Sequence, residues 1–171
     1  MPLFEKAVSN YCNVDFGIAV NSATSALHIA CLALGLEEGD WLWTSPNSFV
    51  ASANCGLYCG AKVDFVDIDT KTYNLCINKL EKKLIQAKKE NKLPKILIPV
   101  HFAGQPCDMP RIKEIANKYG ARILEDAAHA FGTEYQGKKV GGFGDISCFS
   151  FDGVKNITSG EGGCIVTDDG E

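Results

Sequence analysis

The chain of 171 residues carries 17 Lys and Arg against 21 Asp and Glu, which gives a formal net charge of −4. This length fits one domain, or one lobe of a larger protein. Its 46% hydrophobic and 22% charged residues are typical of a globular chain and exclude a disordered one. The sequence also has no basic block for wrapping nucleic acid and no apolar run long enough to span a membrane.

The eight cysteines are scattered through apolar runs of a chain too long to depend on disulfides, so we expect buried, reduced thiols. There is no CxxC pair and there are only three histidines, so we expect no metal site. The N-terminal segment MPLFEKAVSNYC lacks the continuous apolar run of a signal peptide. We therefore expect a cytoplasmic protein, in which the triplet Asn156-Ile157-Thr158 is not a glycosylation site.

Short apolar runs typical of β-strands alternate with amphipathic segments typical of helices. The predicted strands are 17–20, 41–44, 62–67, 95–100, 122–124, 146–151 and 163–166, and the predicted helices are 24–34, 48–58, 78–89 and 109–119. This alternation indicates an α/β fold with three layers, α/β/α, in which helices cover both faces of the sheet. Pro99 is expected at a strand end because it has no N–H to donate.

The pattern changes after Gly132. Residues 133–142 are typical of a β-ribbon that turns at Gln136-Gly137, and the last two strands have no full helix between them. We therefore predict antiparallel additions to the parallel strands, and so a mixed sheet.

Open α/β sheets bind ligands at the carboxyl ends of their strands, and three polar segments lie at such positions. The first, Asn21-Ser22-Ala23-Thr24-Ser25, begins the predicted helix 24–34. Its free N–H groups and hydroxyls suit an anion such as phosphate. An ordinary helix cap at Asn21 or Ser22 explains the same residues.

The second segment, Glu125-Asp126-Ala127-Ala128-His129, ends an apolar strand. A carboxylate among alanines is desolvated, so Asp126 needs a cationic partner or a hydrogen bond. A helix cap at Asp126 is the alternative. His129, three residues on, would share a helical face with Asp126, although a single histidine is more often structural.

The third segment, 149–163, places Lys155 after an aromatic strand that holds Ser150 and before a cluster of glycines. A lysine that leaves a buried strand can attack a carbonyl as the neutral amine, although most such lysines only extend to water. Neither glycine cluster of the chain completes GxGxxG after a strand, so dinucleotide binding is weakly supported.

Together the three segments offer an anion-binding helix end, a strand-end carboxylate and a lysine able to form an imine. Pyridoxal 5'-phosphate (PLP) requires this combination. Its phosphate needs N–H and hydroxyl donors, its pyridine nitrogen needs a carboxylate, and its aldehyde needs a lysine.

Several stretches resemble, in order and spacing, the DegT/DnrJ/EryC1/StrS family of sugar aminotransferases. They are NSATSAL, SPNSFVASAN, GAKVDFVDID, HFAGQPCDM, ILEDAAHAFGTEYQGKKVGGFGDISCFSF and VKNITSGEGG, which together extend over nearly the whole chain. The closest resemblance is to enzymes that aminate nucleotide-linked 4-keto-6-deoxy sugars, including the pseudaminic-acid pathway transaminases.

This resemblance implies the large domain of a type I, PLP-dependent aminotransferase, with a mainly parallel seven-stranded sheet. It implies a homodimer whose active sites lie at the interface. The implied substrate is a UDP-, dTDP- or GDP-linked keto-deoxy sugar used in surface polysaccharide or nonulosonic-acid biosynthesis, and the implied amino donor is glutamate.

Carried over to matching positions, the resemblance makes Lys155 the Schiff-base lysine and the carrier of the transferred proton. It pairs Asp126 with the pyridine nitrogen and places His129 against the ring oxygen of the cofactor. Phe49 falls where the family stacks an aromatic ring on the cofactor face. The implied phosphate ligands are Ala23, Thr24 and Ser150.

Two departures from the family pattern bear on these expectations. At Asp152 many relatives have histidine or an aromatic residue, and Gly153 replaces a frequent proline or alanine, which leaves the sugar open. Relatives also begin earlier and continue into a C-terminal small domain, so residues 1–171 are expected to form an incomplete PLP-binding large domain.

Two other functions remain as alternatives. One is a sugar 3-dehydratase of the same family, but that branch replaces the lysine with histidine, so Lys155 argues against it. The other is a non-catalytic or regulatory PLP-binding protein, which only the expected lack of a C-terminal half favours.

Overall fold

In the computed structural model, which describes residues 1–170, the chain forms five α-helices, a seven-stranded sheet and a separate two-stranded ribbon. The helices are α1 (Pro2–Cys12), α2 (Ala23–Ala33), α3 (Ala51–Tyr58), α4 (Ile77–Glu90) and α5 (Met109–Tyr119). The sheet contains β1 (Phe16–Val20), β2 (Trp41–Thr44), β3 (Lys62–Phe65), β4 (Ile96–Ile98), β5 (Arg122–Asp126), β8 (Ile146–Ser150) and β9 (Gly163–Thr167), and the ribbon contains β6 (Glu134–Tyr135) and β7 (Lys138–Lys139).

The sheet is mixed, with the strand order β1-β9-β8-β5-β4-β2-β3. Strands β3, β2, β4, β5 and β8 pair in parallel, whereas β9 is antiparallel to both of its neighbours, β1 and β8. Because β9 runs against both, β1 and β8 point in the same direction. The predicted mixed, mainly parallel sheet of seven strands is confirmed.

Alternating side chains of the central strands face two different helix layers. Leu42, Ile96 and Ile98 pack in the buried cluster that contains α2 and α3, whereas Trp43 and Leu97 pack in the cluster that contains α4 and α5. A third buried cluster joins α1 to β8 and β9. The three-layer α/β/α architecture predicted from the alternating pattern is therefore confirmed.

Most of the predicted elements differ from the observed ones by one or two residues at an end, and a few differ more. Helix α1 was not predicted; it buries only Val8, Ser9 and Cys12, of which two are apolar, so its sequence has no wide apolar face. Helix α3 begins at Ala51 rather than at residue 48. Strand β4 ends at Ile98, directly before Pro99, although Val100 still forms one parallel bridge with Asp126.

The β-ribbon turns where the sequence predicts. Strands β6 and β7 are joined by Gln136 and Gly137, both of which have a positive φ angle.

All eight cysteines are free, but Cys59 and Cys76 are only half-buried, so the expectation of buried thiols is wrong for these two. Within residues 1–170 no helix is long and apolar enough to cross a membrane.

Candidate active site

A cavity of about 550 Å³ lies at the carboxyl-end edge of the sheet. The segments that follow β1, β2, β4, β5 and β8 all contribute to its wall, as expected for strands whose carboxyl ends meet at one edge. The structure brings all of the predicted site residues into this wall: Ala23, Thr24, Phe49, Asp126, His129, Ser150 and Lys155.

The N-terminus of α2 forms one side of the cavity. The Ser22 hydroxyl caps the helix by accepting the Ser25 N–H at 3.2 Å, as predicted, and Ser22, Ala23 and Thr24 line the cavity. The first N–H groups of a helix have no acceptor within the helix, so they can bind an anion. Gly163 of β9 lies so close to this helix end that a Cβ there would be 2.5 Å from the carbonyl carbon of Ser22.

Asp126 ends β5 and is 5% exposed. Its backbone N–H donates to the Pro99 carbonyl at 3.0 Å, and its own carbonyl accepts the His101 N–H at 3.0 Å. Its carboxylate accepts two hydrogen bonds, from the Ala128 N–H to Oδ1 at 3.2 Å and from the Ser52 hydroxyl to Oδ2 at 2.5 Å. The partner that burial of this carboxylate requires is therefore supplied by hydrogen bonds.

The segment after Asp126 is a turn, in which the Ala130 N–H donates to the Ala127 carbonyl at 2.8 Å. The prediction that Asp126 and His129 share a helical face is therefore wrong, as is the alternative of a helix cap at Asp126. Both side chains nevertheless line the cavity, because the turn folds back along the same edge of the sheet.

Lys155 lies in a turn after β8, where its N–H donates to the Asp152 carbonyl at 3.0 Å. Its Nζ lies 2.8 Å from Nε2 of His129. Because the lysine nitrogen donates, Nε2 accepts, and the ring proton of His129 lies on Nδ1. Burial and the Lys155 charge lower the pKa of His129 below its usual 6.5, while the Asp126 charge acts in the opposite direction.

Three other residues of the cavity wall differ in their exposure and in their hydrogen bonds. Ser150 is 5% exposed, and its hydroxyl accepts the Asp152 N–H at 3.4 Å. The Asp152 carboxylate accepts the Val154 N–H at 3.1 Å, so it stabilises the turn that carries Lys155. Phe49 is 72% exposed at the mouth of the cavity.

Sequence reasoning missed a buried pair beneath the site, formed by His101 and Glu125. Neither side chain is exposed, and His101 Nε2 lies 2.9 Å from Glu125 Oε2. Burial opposes ionisation of Glu125, but its donors keep its pKa below the usual value. They include, besides His101, the N–H groups of Phe143 and Gly144 and the hydroxyl of Ser147, all to Oε1. No local periodicity joins residues 24 positions apart, so no sequence signal indicated the pair.

The profile of the DegT/DnrJ/EryC1/StrS aminotransferase family matches residues 1–171. The chain belongs to this family. GDP-perosamine synthase of Caulobacter vibrioides is 46% identical to it over 166 residues, which are 97% of this chain and 43% of that protein.

Two solved structures have the same fold as this DegT-family chain. Helicobacter pylori PseC, an aminotransferase involved in the biosynthesis of pseudoaminic acid, has a TM-score of 0.91 and 36% identity, over 99% of this chain and 44% of that one. The PLP form of the putative sugar aminotransferase Spr1654 from Streptococcus pneumoniae has a TM-score of 0.87 and 30% identity, over 98% of this chain and 45% of that one. The chain therefore spans less than half the length of these three relatives.

Proposed function

We propose that this DegT-family chain binds PLP in the 550 Å³ cavity and is part of an aminotransferase. The enzyme would transfer an amino group from glutamate to a nucleotide-linked keto-deoxy sugar. The observation that carries the proposal is the joint presence of Lys155, the buried Asp126 carboxylate and the N-terminus of α2 in the wall of one cavity. A lysine, a carboxylate and an anion-binding helix end are the groups that PLP requires.

The chemical character of the wall fits the parts of the cofactor. Ala23 and Thr24 would hold the phosphate with their N–H groups and the Thr24 hydroxyl, and Ser150 would add a second hydroxyl. The carboxylate of Asp126 would bind the protonated pyridine nitrogen. The exposed ring of Phe49 at the mouth would stack on the face of the cofactor.

When bound, PLP supplies an aldehyde for covalent attachment and an electron-withdrawing ring that stabilises negative charge on the substrate. Lys155 would provide the amine for attachment, and its Nζ would accept a proton from one atom of the substrate and return it to another. His129 accepts a hydrogen bond from Nζ through Nε2, which orients the amine toward the cavity. Its lowered pKa keeps Nε2 free to accept near neutral pH.

The sugar substrate is supported by the relatives. The Caulobacter relative is named for a GDP-linked product, and the Helicobacter relative is described as an aminotransferase involved in the biosynthesis of pseudoaminic acid. We extend this to UDP-, dTDP- and GDP-linked 4-keto-6-deoxy sugars of surface polysaccharide or nonulosonic-acid biosynthesis, in the cytoplasm. The exposed Phe49 and Val154 at the cavity mouth, 72% and 85% accessible, support a homodimer in which a second copy covers the site.

Covalent trapping tests the cofactor. The protein is loaded with PLP, reduced with borohydride and digested, and mass spectrometry locates the pyridoxyl group, which we expect on Lys155. Lys155→Ala should abolish the label and the visible absorption of the loaded protein, whereas Lys118→Ala, on the exposed face of α5, should leave both unchanged. A label on another lysine, or none, would contradict the assignment.

A substrate panel tests the reaction. GDP-, UDP- and dTDP-linked 4-keto-6-deoxy sugars are supplied with glutamate, and the amino sugar and 2-oxoglutarate are measured together. We expect both products, in equal amounts, with at least one sugar. We expect residues 1–171 alone to be inactive, because they form an incomplete domain, so the panel is run on a protein as long as the relatives. PLP binding by that protein without turnover of any sugar would favour the non-catalytic alternative, and loss of water from the sugar without amination would favour the dehydratase.

A further inference from the structure

Ser52 lies in the first turn of α3, is 1% exposed and does not itself line the cavity. Its Oγ is 2.5 Å from Asp126 Oδ2, and the two residues are 74 positions apart in the chain. A second hydroxyl, of Ser48, lies 2.6 Å from the same Oγ and borders the cavity. A chain of two hydroxyls therefore leads from the cavity wall to the buried carboxylate.

The direction of these hydrogen bonds follows from the number of protons. An ionised carboxylate can only accept, so the single proton of the Ser52 hydroxyl is donated to Asp126. The alternative acceptor, the Phe49 carbonyl, is uncharged and farther away at 3.2 Å, and charge-assisted hydrogen bonds are the stronger ones. Ser48 must then donate to Ser52, and hydrogen bonds that run in one direction strengthen each other.

These contacts fix the plane of the carboxylate. Ser52 occupies one lone-pair direction of Oδ2, and the Ala128 N–H occupies one of Oδ1. A carboxylate has further lone pairs on both oxygens, and Asp126 faces the cavity. The remaining lone pairs are therefore held at a set angle toward whatever cation enters.

We propose that Ser52 is a positioning residue, which orients Asp126 toward the pyridine nitrogen of PLP and limits how strongly the carboxylate competes for the shared proton. The inference rests on the proposed function, because it assumes that Asp126 faces this nitrogen. Ser48 strengthens the effect by donating to Ser52.

The chain offers a matched control for a merely structural role. The Ser147 hydroxyl donates to Glu125 at 2.6 Å, and both side chains are fully buried. Ser147→Ala therefore removes the same kind of hydrogen bond from the neighbouring carboxylate, with a similar loss of stability, but leaves Asp126 and its donors in place.

The test uses PLP labelled with ¹⁵N in the ring, bound to the wild-type protein, Ser52→Ala and Ser147→Ala. We expect Ser52→Ala to lower the affinity for PLP by a factor of about 2 to 10, the cost of ordering on binding a side chain that is no longer held in the free protein. We also expect its ring ¹⁵N resonance to move toward the position of an unprotonated pyridine, because the carboxylate then binds the shared proton more tightly. Ser147→Ala should leave both close to wild type.

An unchanged ¹⁵N position in Ser52→Ala, with or without weaker binding, would overturn the positioning role, as would an equal change in Ser147→Ala. If Ser52→Ala does not fold, Ser52→Cys keeps the volume with a weaker donor and should give a smaller shift in the same direction; no shift would overturn the role. A wild-type protein that binds no PLP would instead overturn the proposed function, and this inference with it.

Discussion

The Nε2 atom of His101 lies 2.9 Å from Oε2 of Glu125, and neither side chain is exposed to solvent. The other ring nitrogen of His101 accepts the Cys107 N–H at 3.0 Å. The ring therefore donates to Glu125 through Nε2. Because Glu125 directly precedes Asp126, this pair anchors the end of β5 from which Asp126 faces the cavity.

Replacing Glu125 with Gln should destabilise the fold. The amide oxygen would remain at the position of Oε1, which accepts from Phe143, Gly144 and Ser147, so the NH₂ would face the Nε2–H of His101. The ring proton cannot move to Nδ1, because Nδ1 already accepts from Cys107. We expect the free energy of unfolding in urea to fall by about 3 kcal/mol, the upper end of the cost of leaving a buried donor without its acceptor. Glu81→Gln, at an exposed carboxylate 3.4 Å from Arg111, should cost less than about 1 kcal/mol. Equal losses would contradict a special role for the buried pair.

The same pair should make stability depend on pH. The pKa of Glu125 is lower in the folded chain than its usual 4.5. Its ionised form therefore stabilises the fold fully above that value, and the stabilisation is lost as the pH falls through the folded pKa. Urea unfolding at pH values from roughly 6 to 3 should show a steeper loss for wild type than for Glu125→Gln. Parallel curves would show that Glu125 does not contribute.

His129 should titrate below pH 6.5 in the cofactor-free protein, as its lowered pKa requires. Lys155→Ala removes a positive charge that lowers this pKa, so the midpoint should rise, and Asp126→Asn removes a negative charge that raises it, so the midpoint should fall. The ring C–H resonances in NMR spectra report each midpoint. A midpoint that stays constant in both variants would show that these charges do not reach the ring, and Lys118→Ala should not move it.

Gly163→Ala should separate β9 from the start of α2. An added Cβ would lie 2.5 Å from the Ser22 carbonyl carbon and 2.8 Å from the Ala23 nitrogen, so the backbone must shift. We expect a loss of about 2 kcal/mol in stability and weaker binding of PLP in fluorescence titration. Gly153→Ala is the control, because its Cβ would meet only the Gly160 carbonyl oxygen, at 3.7 Å. Similar effects of both substitutions would contradict the close approach.

Local signals in the sequence predicted much of this molecule. Ser22 was expected to cap α2 because a hydroxyl before an apolar periodic run satisfies free N–H groups, and it does so. The polar residues after apolar runs were expected at one edge of the sheet, because parallel strands place their carboxyl ends together. Lys155 and Asp126 lie there.

The contacts that hold those residues were not predictable in this way. Ser52 and Asp126 are 74 positions apart, and His101 and Glu125 are 24 apart. The second pair meets because β4 pairs with β5, and the first because α3, which packs on α2, β2 and β3, begins close to the end of β5. The helical face proposed for Asp126 and His129 failed for a related reason. The spacing of three residues is compatible with a helix, but tertiary packing ends the strand in a turn.

The pairing of β1 with β9 has a consequence for synthesis of the chain on the ribosome. Strand β1 is made before the other strands of residues 1–170, yet among them it pairs only with β9, which is made after all the others. Contacts between such distant segments form slowly, because a long loop must close first. Until β9 arrives, the hydrogen-bonding groups of β1 can recruit other chains. Helix α1 packs on β1, and its Glu5 carboxylate accepts the Ala19 N–H at 3.0 Å. Both contacts join segments close in sequence, so they can form early and shield β1 until β9 is made.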